Sequence, residues 1–402
     1  MSEDDKATAV MWPPLPASEG PAIGDACARA SWFAGHLFER ILVPVAGDPG
    51  EVRVPEHTSL AALADLGRVR VCGVPEATQA ASSGRCMVLV QRADVSDAAP
   101  LKAAKFAGSL EVRGLAPSGP DGARYYFVGS PAHDLQDAYH WVCLSYWMHA
   151  DRQEADVLAP SRRALAALKA EARRHARVAI FGTGPSLAEA LDRDHSGAFN
   201  MICNSIVKNR PFCERLRPRV IVAADAHFHF SYHHYSAALL HDLAHQLRTS
   251  DAVFFTFDKF AAFLRRRMPS IADKVFGIPA GRKEYGYDFD RDFRVHAGDS
   301  VLNMFLLPLA SYLGEEIVLN GFTGRAKTDT YFWSHSELNQ YGDRMADVRS
   351  AHGAFFANRD YGAYSDTVDQ EISLRVERAR GEGKRVASAT RSFYTALAAQ
   401  DA

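Results

Sequence analysis

The chain has 402 residues, 47% of them hydrophobic and 23% charged, with 46 Lys and Arg set against 48 Asp and Glu. That is an ordinary globular composition, long enough for two domains or for one domain with a large extension. A net charge of −2 argues against a protein whose main partner is nucleic acid, which would need a basic stripe.

Along the chain, residues 1–20 read as a disordered arm, acidic and then proline-rich, and not as a signal peptide. Residues 21–155 read as a smaller α/β region of unassigned role, with strands at 68–74, 87–91 and 125–128 and a helix over 132–155. A basic, alanine-rich helix over 162–177 links it to the rest. From residue 178 strands and helices alternate. Strands are expected at 178–181, 199–203, 220–224, 252–256, 275–278, 316–320 and 385–388. A helix opens at Ser186, a short helix runs to Cys213, and long helices cover 300–313 and 368–382. Continuous apolar strands separated by helices indicate a mostly parallel, Rossmann-like sheet covered on both faces. The domain that holds it is expected to span 156–402. The stretch 301–313 is too short to cross a bilayer and contains Asn303, Pro308 and Ser311. Six scattered cysteines without a C-x-x-C pair read as reduced thiols. The expected location is cytoplasmic, with peripheral contact at the inner membrane face left open, as is homo-oligomerisation.

The most informative segment is Val178-Ala179-Ile180-Phe181-Gly182-Thr183-Gly184-Pro185-Ser186-Leu187. A buried strand ends in a Gly-x-Gly turn and a helix start, an arrangement that brings backbone N–H groups to a phosphate-bearing ligand. Ligands of open α/β sheets bind at strand carboxyl ends. Those ends carry Gly182, Thr183, Gly184 and Ser186; Asn204 and Ser205; Asp225 and His227; and Gly321, Phe322 and Thr323. Gly298-Asp299-Ser300 opens a second helix. The third glycine of the dinucleotide fingerprint is missing, as is an acidic residue after the second strand. No Gly-Lys-Ser/Thr step is present either.

These residues, together with Cys203-Asn204-Ser205 and the strand 316–320 ending at Gly321, resemble the bacterial lipooligosaccharide sialyltransferases, which use CMP-sialic acid. The same skeleton resembles the DUF115 group, which includes flagellin nonulosonic-acid transferases and an archaeal pterin pyrophosphokinase. The resemblance covers about 175–390. It implies a variant GT-A-like fold and a glycosyltransferase that moves an acidic, sialic-type sugar from a CMP-activated donor to a glycan or protein hydroxyl. The implied reaction is inverting and metal-independent, without a cofactor beyond the donor substrate. Gly182, Thr183 and Gly184 would lie along the nucleotide, supported by Ser186. Asn204 would meet the ribose or sugar, Asp225 the donor sugar, and Ser300 the phosphate or carboxylate. Tyr331 would donate to the leaving phosphate. The chain departs from the family at several points. Thr183 replaces an Asn, Thr323 replaces the Asp of a Gly-x-Asp step, and Arg325 stands where a second tyrosine is expected. Ala363-Tyr364-Ser365 replaces a Gly-His-Ser step that carries the base. Tyr364 stands at the family's base position, and His335 and His352 are the nearest substitutes, because an imidazole titrates near working pH. Arg325 can meet a phosphate by charge.

Other readings stay open on the residues alone. Asp225-Ala226-His227-Phe228-His229, followed by His233, His234, His241 and His245, suits a metal-dependent hydrolase. Asp225 or Asp299 would serve a Mg²⁺-dependent pyrophosphokinase. A nucleotide-binding protein without transfer activity fits the departures.

Overall fold

The computed structural model describes residues 8–52, 66–81, 86–91, 124–128, 138–282, 286–296, 298, 300–324, 336–351 and 361–398. The chain is α/β throughout and divides into two compact units. Unit 1 comprises Met1–Asp151, Ala226–Ala237 and Asp347–Phe356, and unit 2 comprises the rest. The expected boundary at 155/156 lies at 151/152, and the histidine-rich segment after residue 225 belongs to unit 1.

Unit 1 is built on parallel strands β1 (Thr8–Trp12), β2 (Leu15–Pro16), β3 (Arg40–Ala46), β4 (Val69–Gly73), β5 (Cys86–Val90) and β6 (Arg124–Phe127). β1 is central, paired with β3 on one side and β5 on the other. The expectation of a disordered arm over 1–20 is therefore corrected for the described part. Ala9, Val10 and Met11 are fully buried, and this burial outweighs the acidic and proline-rich flanks that hid the strand. β2 continues along β3 after the chain bulges at Pro13 and Pro14, which have no N–H to give a ladder. The principal strands run β4-β3-β1-β5-β6. The helix Val74–Ala81 covers one face, packing on Val10, Trp12, Val88 and Val90. Also within unit 1, the helices Gly20–Ala34 and Ala138–Met148 meet through stacked rings of Phe33 and Trp141, 5.5 Å apart.

Unit 2 contains seven parallel strands: β7 (Arg177–Phe181), β8 (Ala198–Cys203), β9 (Val220–Val222), β10 (Val253–Phe257), β11 (Val275–Ile278), β12 (Glu316–Asn320) and β13 (Arg385–Ser388). Their order is β11-β10-β9-β8-β7-β12-β13. The chain thus builds outward from β7 in one direction, then returns to its other side with β12. This is the Rossmann-like reversal, and the switch point lies between β7 and β12. Phe181 and Asn320 are register partners there. The inner strands are mostly apolar and buried on both faces, so they were readable as apolar runs, whereas the edge strand β13 buries only Val386.

Two expected helices are interrupted. The segment 300–313 begins as a wide π turn, Leu302–Leu306, and becomes α-helical only at Leu307–Leu313. Pro308 lacks the N–H of the ordinary ladder, and the wider turn before it absorbs the missing bond. The same device, Glu154–Leu158 ahead of Pro160, leads into Ala159–Ala172, where a helix over 162–177 was expected. The segment expected as a helix over 132–155 is α-helical only over Ala138–Met148 within the described residues. Among the described residues no helix is long and apolar enough to cross a membrane.

Candidate functional site

A cleft of about 110 Å³ opens at the switch point of unit 2, where β7, β8 and β12 end. Six of the eight expected ligand-binding residues line it: Gly182, Thr183, Gly184, Asn204, Ser300 and Thr323. They come from four chain segments that the strand order alone brings together. The volume is below the roughly 300 Å³ at which small-molecule sites begin, so the described cleft has room for only a fragment of a small molecule.

The Gly-x-Gly turn works differently from a phosphate cradle. The Gly182 N–H donates to the Asn320 carbonyl at 2.8 Å, and the Gly184 N–H donates to the Gly321 carbonyl at 2.8 Å. The Ser186 N–H donates to Thr323 Oγ1 at 2.9 Å. The turn spends these amides on seaming β7 to β12. A Cβ on Gly184 would stand 2.6 Å from both the Gly321 carbonyl oxygen and Thr323 Oγ1. The glycine is thus required by close backbone approach rather than by donation to a ligand. Gly321, at φ +74°, supplies the matching turn on β12. The helix expected from Ser186 is a 3₁₀ segment, Pro185–Ala190. Ser186 itself is buried behind the cleft, its Oγ bonded to Thr323 and Thr390.

Polar groups that face the cleft lie elsewhere. Asn204 follows β8 at φ +51°, a left-handed conformation that asparagine tolerates better than most other non-glycine residues. Its Oδ1 is buried with no hydrogen-bond partner among the described residues. An unsatisfied buried acceptor in a side chain at a strand end calls for a partner from outside the described residues. Ser300 Oγ accepts from the Asn303 N–H at 3.2 Å, capping the turn that leads into the π segment, and its hydroxyl proton is available to a ligand. Cys203 is inert: burial pushes its thiol up to about 12. The described lining carries no formal charge.

Behind Ser300, Arg375 is 1% exposed. It donates to the Asn303 carbonyl at 3.1 Å and contacts Glu371 and His296. This buried network anchors the turn that presents Ser300.

Besides Ser186, two described residues expected in the site are absent from the lining. Asp225 is half-buried just past β9. Tyr364 lies inside the helix Tyr361–Gly381, which starts seven residues before the expected 368, and packs half-buried against the core. Residues 363–365, where a loop step was expected, are helical. Tyr331, Arg325, His335 and His352 lie outside the described residues.

Sequence reasoning missed Tyr394 in the cleft wall. It follows β13, and the neighbouring Phe393 N–H donates to the Thr323 carbonyl at 2.7 Å, which ties the tail to the β12 loop. Only the pairing of β13 with β12 places it there.

Two histidines of the rival metal reading, His233 and His234, have other partners. His233 meets the His227 carbonyl through Nε2 and the Ser236 N–H through Nδ1. His234 Nδ1 bonds Asp347 at 2.8 Å. Among the described residues no group of three or more His, Cys, Asp or Glu is placed to hold a metal ion. The chain matches no protein-family model and no curated protein.

Proposed function

We propose that this chain is a glycosyltransferase that binds a CMP-activated acidic sugar of the sialic type and transfers it to a glycan or protein hydroxyl. The observation that carries the reading is the convergence of Gly182, Thr183, Gly184, Asn204, Ser300 and Thr323 on one cleft at the switch point between β7 and β12. An uncharged, hydrogen-bonding lining suits the nucleoside half of the donor: Asn204 and Ser300 address ribose or base hydroxyls and carbonyls. The negative charge of the phosphate and sugar carboxylate falls to cationic and tyrosine side chains beyond this lining, for which Arg325 and Tyr331 are the proposed residues.

In the proposed reaction the acceptor oxygen attacks the anomeric carbon. The bond from that carbon to the CMP phosphate oxygen breaks with inversion, and a base, His335 or His352, takes the acceptor proton. A second reading, nucleotide binding without transfer, is favoured by one observation. Tyr364, at the position of the family's base, lies within a helix away from the described cleft lining.

Thermal-shift measurements with CMP, CTP, ATP and NAD, each with and without EDTA, test the ligand class. Saturating CMP is expected to stabilise by about 2.7 kcal/mol at a hundredfold excess over Kd, unaffected by EDTA. No shift with CMP or CTP overturns the reading. Donor hydrolysis by wild type and by His335→Ala and Tyr331→Phe then separates transfer from binding.

A further inference from the structure

The cleft wall at Asn204 is held from outside. Asn204 opens a five-residue 3₁₀ turn, Asn204–Lys208, directly after β8. Turns of this kind seldom run past three or four residues, because their internal hydrogen bonds are poorly aligned. The support comes from residues 337–340, well over a hundred positions further along the chain. Ser205, Lys208 and Asn209 reach them, and all three donate. Ser205 Oγ gives a 2.7 Å bond to the Asn339 carbonyl, with both residues buried. Asn209 Nδ2 donates to Asn339 Oδ1 at 2.9 Å, while Asn209 Oδ1 accepts from the Phe212 N–H and caps the helix Arg210–Leu216. Lys208 Nζ donates to two carbonyls, Glu337 at 2.5 Å and Gln340 at 2.7 Å. The segment is pinned once more by the Tyr341 hydroxyl, which donates to Asp242 Oδ2 at 2.7 Å.

Lys208 is the decisive member of this clasp. A lysine at the far end of the turn that carries a cleft asparagine suits a phosphate ligand. Its ammonium is spent on the chain: two carbonyls accept from it, and the Tyr341 ring centroid lies 5.2 Å from the nitrogen. Lys208 is also absent from the described cleft lining, which Asn204 joins. Hydrogen bonds from a charged donor are roughly twice as strong as neutral ones. The ammonium is therefore the firmest tie between the turn that presents Asn204 and the segment behind it.

We propose that Lys208 is a positioning residue for Asn204. By gripping the Glu337 and Gln340 carbonyls it fixes the turn, and with it the Asn204 side chain, in the geometry that meets the nucleoside half of the ligand, without touching the ligand itself. The inference rests on the nucleotide reading of the cleft.

Hydrogen exchange followed by mass spectrometry on the full chain without ligand reads the clasp alone. Lys208→Met keeps the side-chain length and removes the donors, and exchange over residues 203–209 and 336–341 is expected to quicken roughly 10-fold. Titration calorimetry with CMP and with cytidine, which lacks the phosphate, reads the positioning. Lys208→Met is expected to weaken both by the same factor, about 10-fold, because Asn204 meets the nucleoside they share. Lys208→Arg keeps a cation with donors for both carbonyls and should restore CMP affinity to within about 3-fold of wild type. Ser205→Ala cuts the clasp at a separate bond and takes the place of Lys208→Met should that variant not fold. Unchanged exchange, unchanged CMP affinity in Lys208→Met, or no rescue by Lys208→Arg overturns the inference alone. A loss confined to CMP makes Lys208 a phosphate ligand and overturns it too. A wild type that binds no CMP overturns the nucleotide reading, and the positioning role falls with it.

Discussion

Replacing Thr323 by valine tests the view that the switch point is held by side chains rather than poised on free amides. Thr323 is 6% exposed. Its Oγ1 accepts from the Ser186 N–H at 2.9 Å and shares a bond with Ser186 Oγ at 2.8 Å. Valine keeps the volume and removes both bonds. The Ser186 N–H is then buried without an acceptor, which costs about 1–3 kcal/mol, and the lost hydroxyl pair adds about 1 kcal/mol. The Ser186 hydroxyl keeps a longer contact with Thr390, at 3.3 Å, which trims the second amount. The expected loss is about 2–4 kcal/mol in the stability of the seam. Hydrogen exchange followed by mass spectrometry over residues 182–191 reads it directly. Each 1.4 kcal/mol is tenfold, so exchange should quicken by roughly 30-fold or more. Thr323→Ser should stay within about 1 kcal/mol of wild type. Exchange in Thr323→Val indistinguishable from wild type would refute the reasoning and return the Ser186 amide to the ligand.

Asn204→Gly separates strain from binding. Relief of the φ +51° conformation should leave stability equal or raised by up to about 1 kcal/mol, while the thermal shift from CMP is lost; an unchanged shift removes Asn204 from the site. The Glu171–Arg219 pair, bonded at 2.6 and 2.8 Å, gives a pH signature. The bonds from Arg219 hold the Glu171 carboxyl below its ordinary value against the opposing effect of burial. Stability from a lowered carboxyl pKa is present above the unfolded value, about 4.3, and fades as pH falls through the native value. Glu171→Gln should therefore cost about 1–2 kcal/mol at pH 7 and progressively less below about pH 4.3, as urea unfolding at pH 7, 5, 4 and 3 would show; a constant difference refutes the linkage. Cys203, with its thiol pushed up to about 12 by burial, should resist iodoacetamide at pH 8 in the folded protein and react only on unfolding. Rapid labelling of native Cys203 would contradict a closed seam.

The inner strands of unit 2 were legible because burial on both faces makes them read as largely apolar runs, as in β7, β8, β10 and β11. β12 and β13 fall on the expected residues, 316–320 and 385–388. β1 was not legible: Thr8–Trp12 is short and sits between acidic residues and prolines, and only pairing on both sides makes it a core strand. The π turns at Glu154–Leu158 and Leu302–Leu306 were likewise hidden, because an apolar periodicity does not register where one missing N–H widens a turn.

For the site, sequence by itself determined which residue types stand at strand ends and helix starts: Gly182, Asn204 and Thr323 follow strands, Ser300 precedes a helix, and all four line the cleft. Tertiary structure decided what those residues do. The strand order sets β12 beside β7, so the amides of the Gly-x-Gly turn meet carbonyl and hydroxyl oxygens of a segment well over a hundred residues away along the chain. The same order brings Tyr394 into the cleft wall, while Tyr364 packs into the core. A backbone N–H does not carry its partner in its own sequence. Local pattern announces that a donor exists, and only the fold shows whether another strand has already taken it.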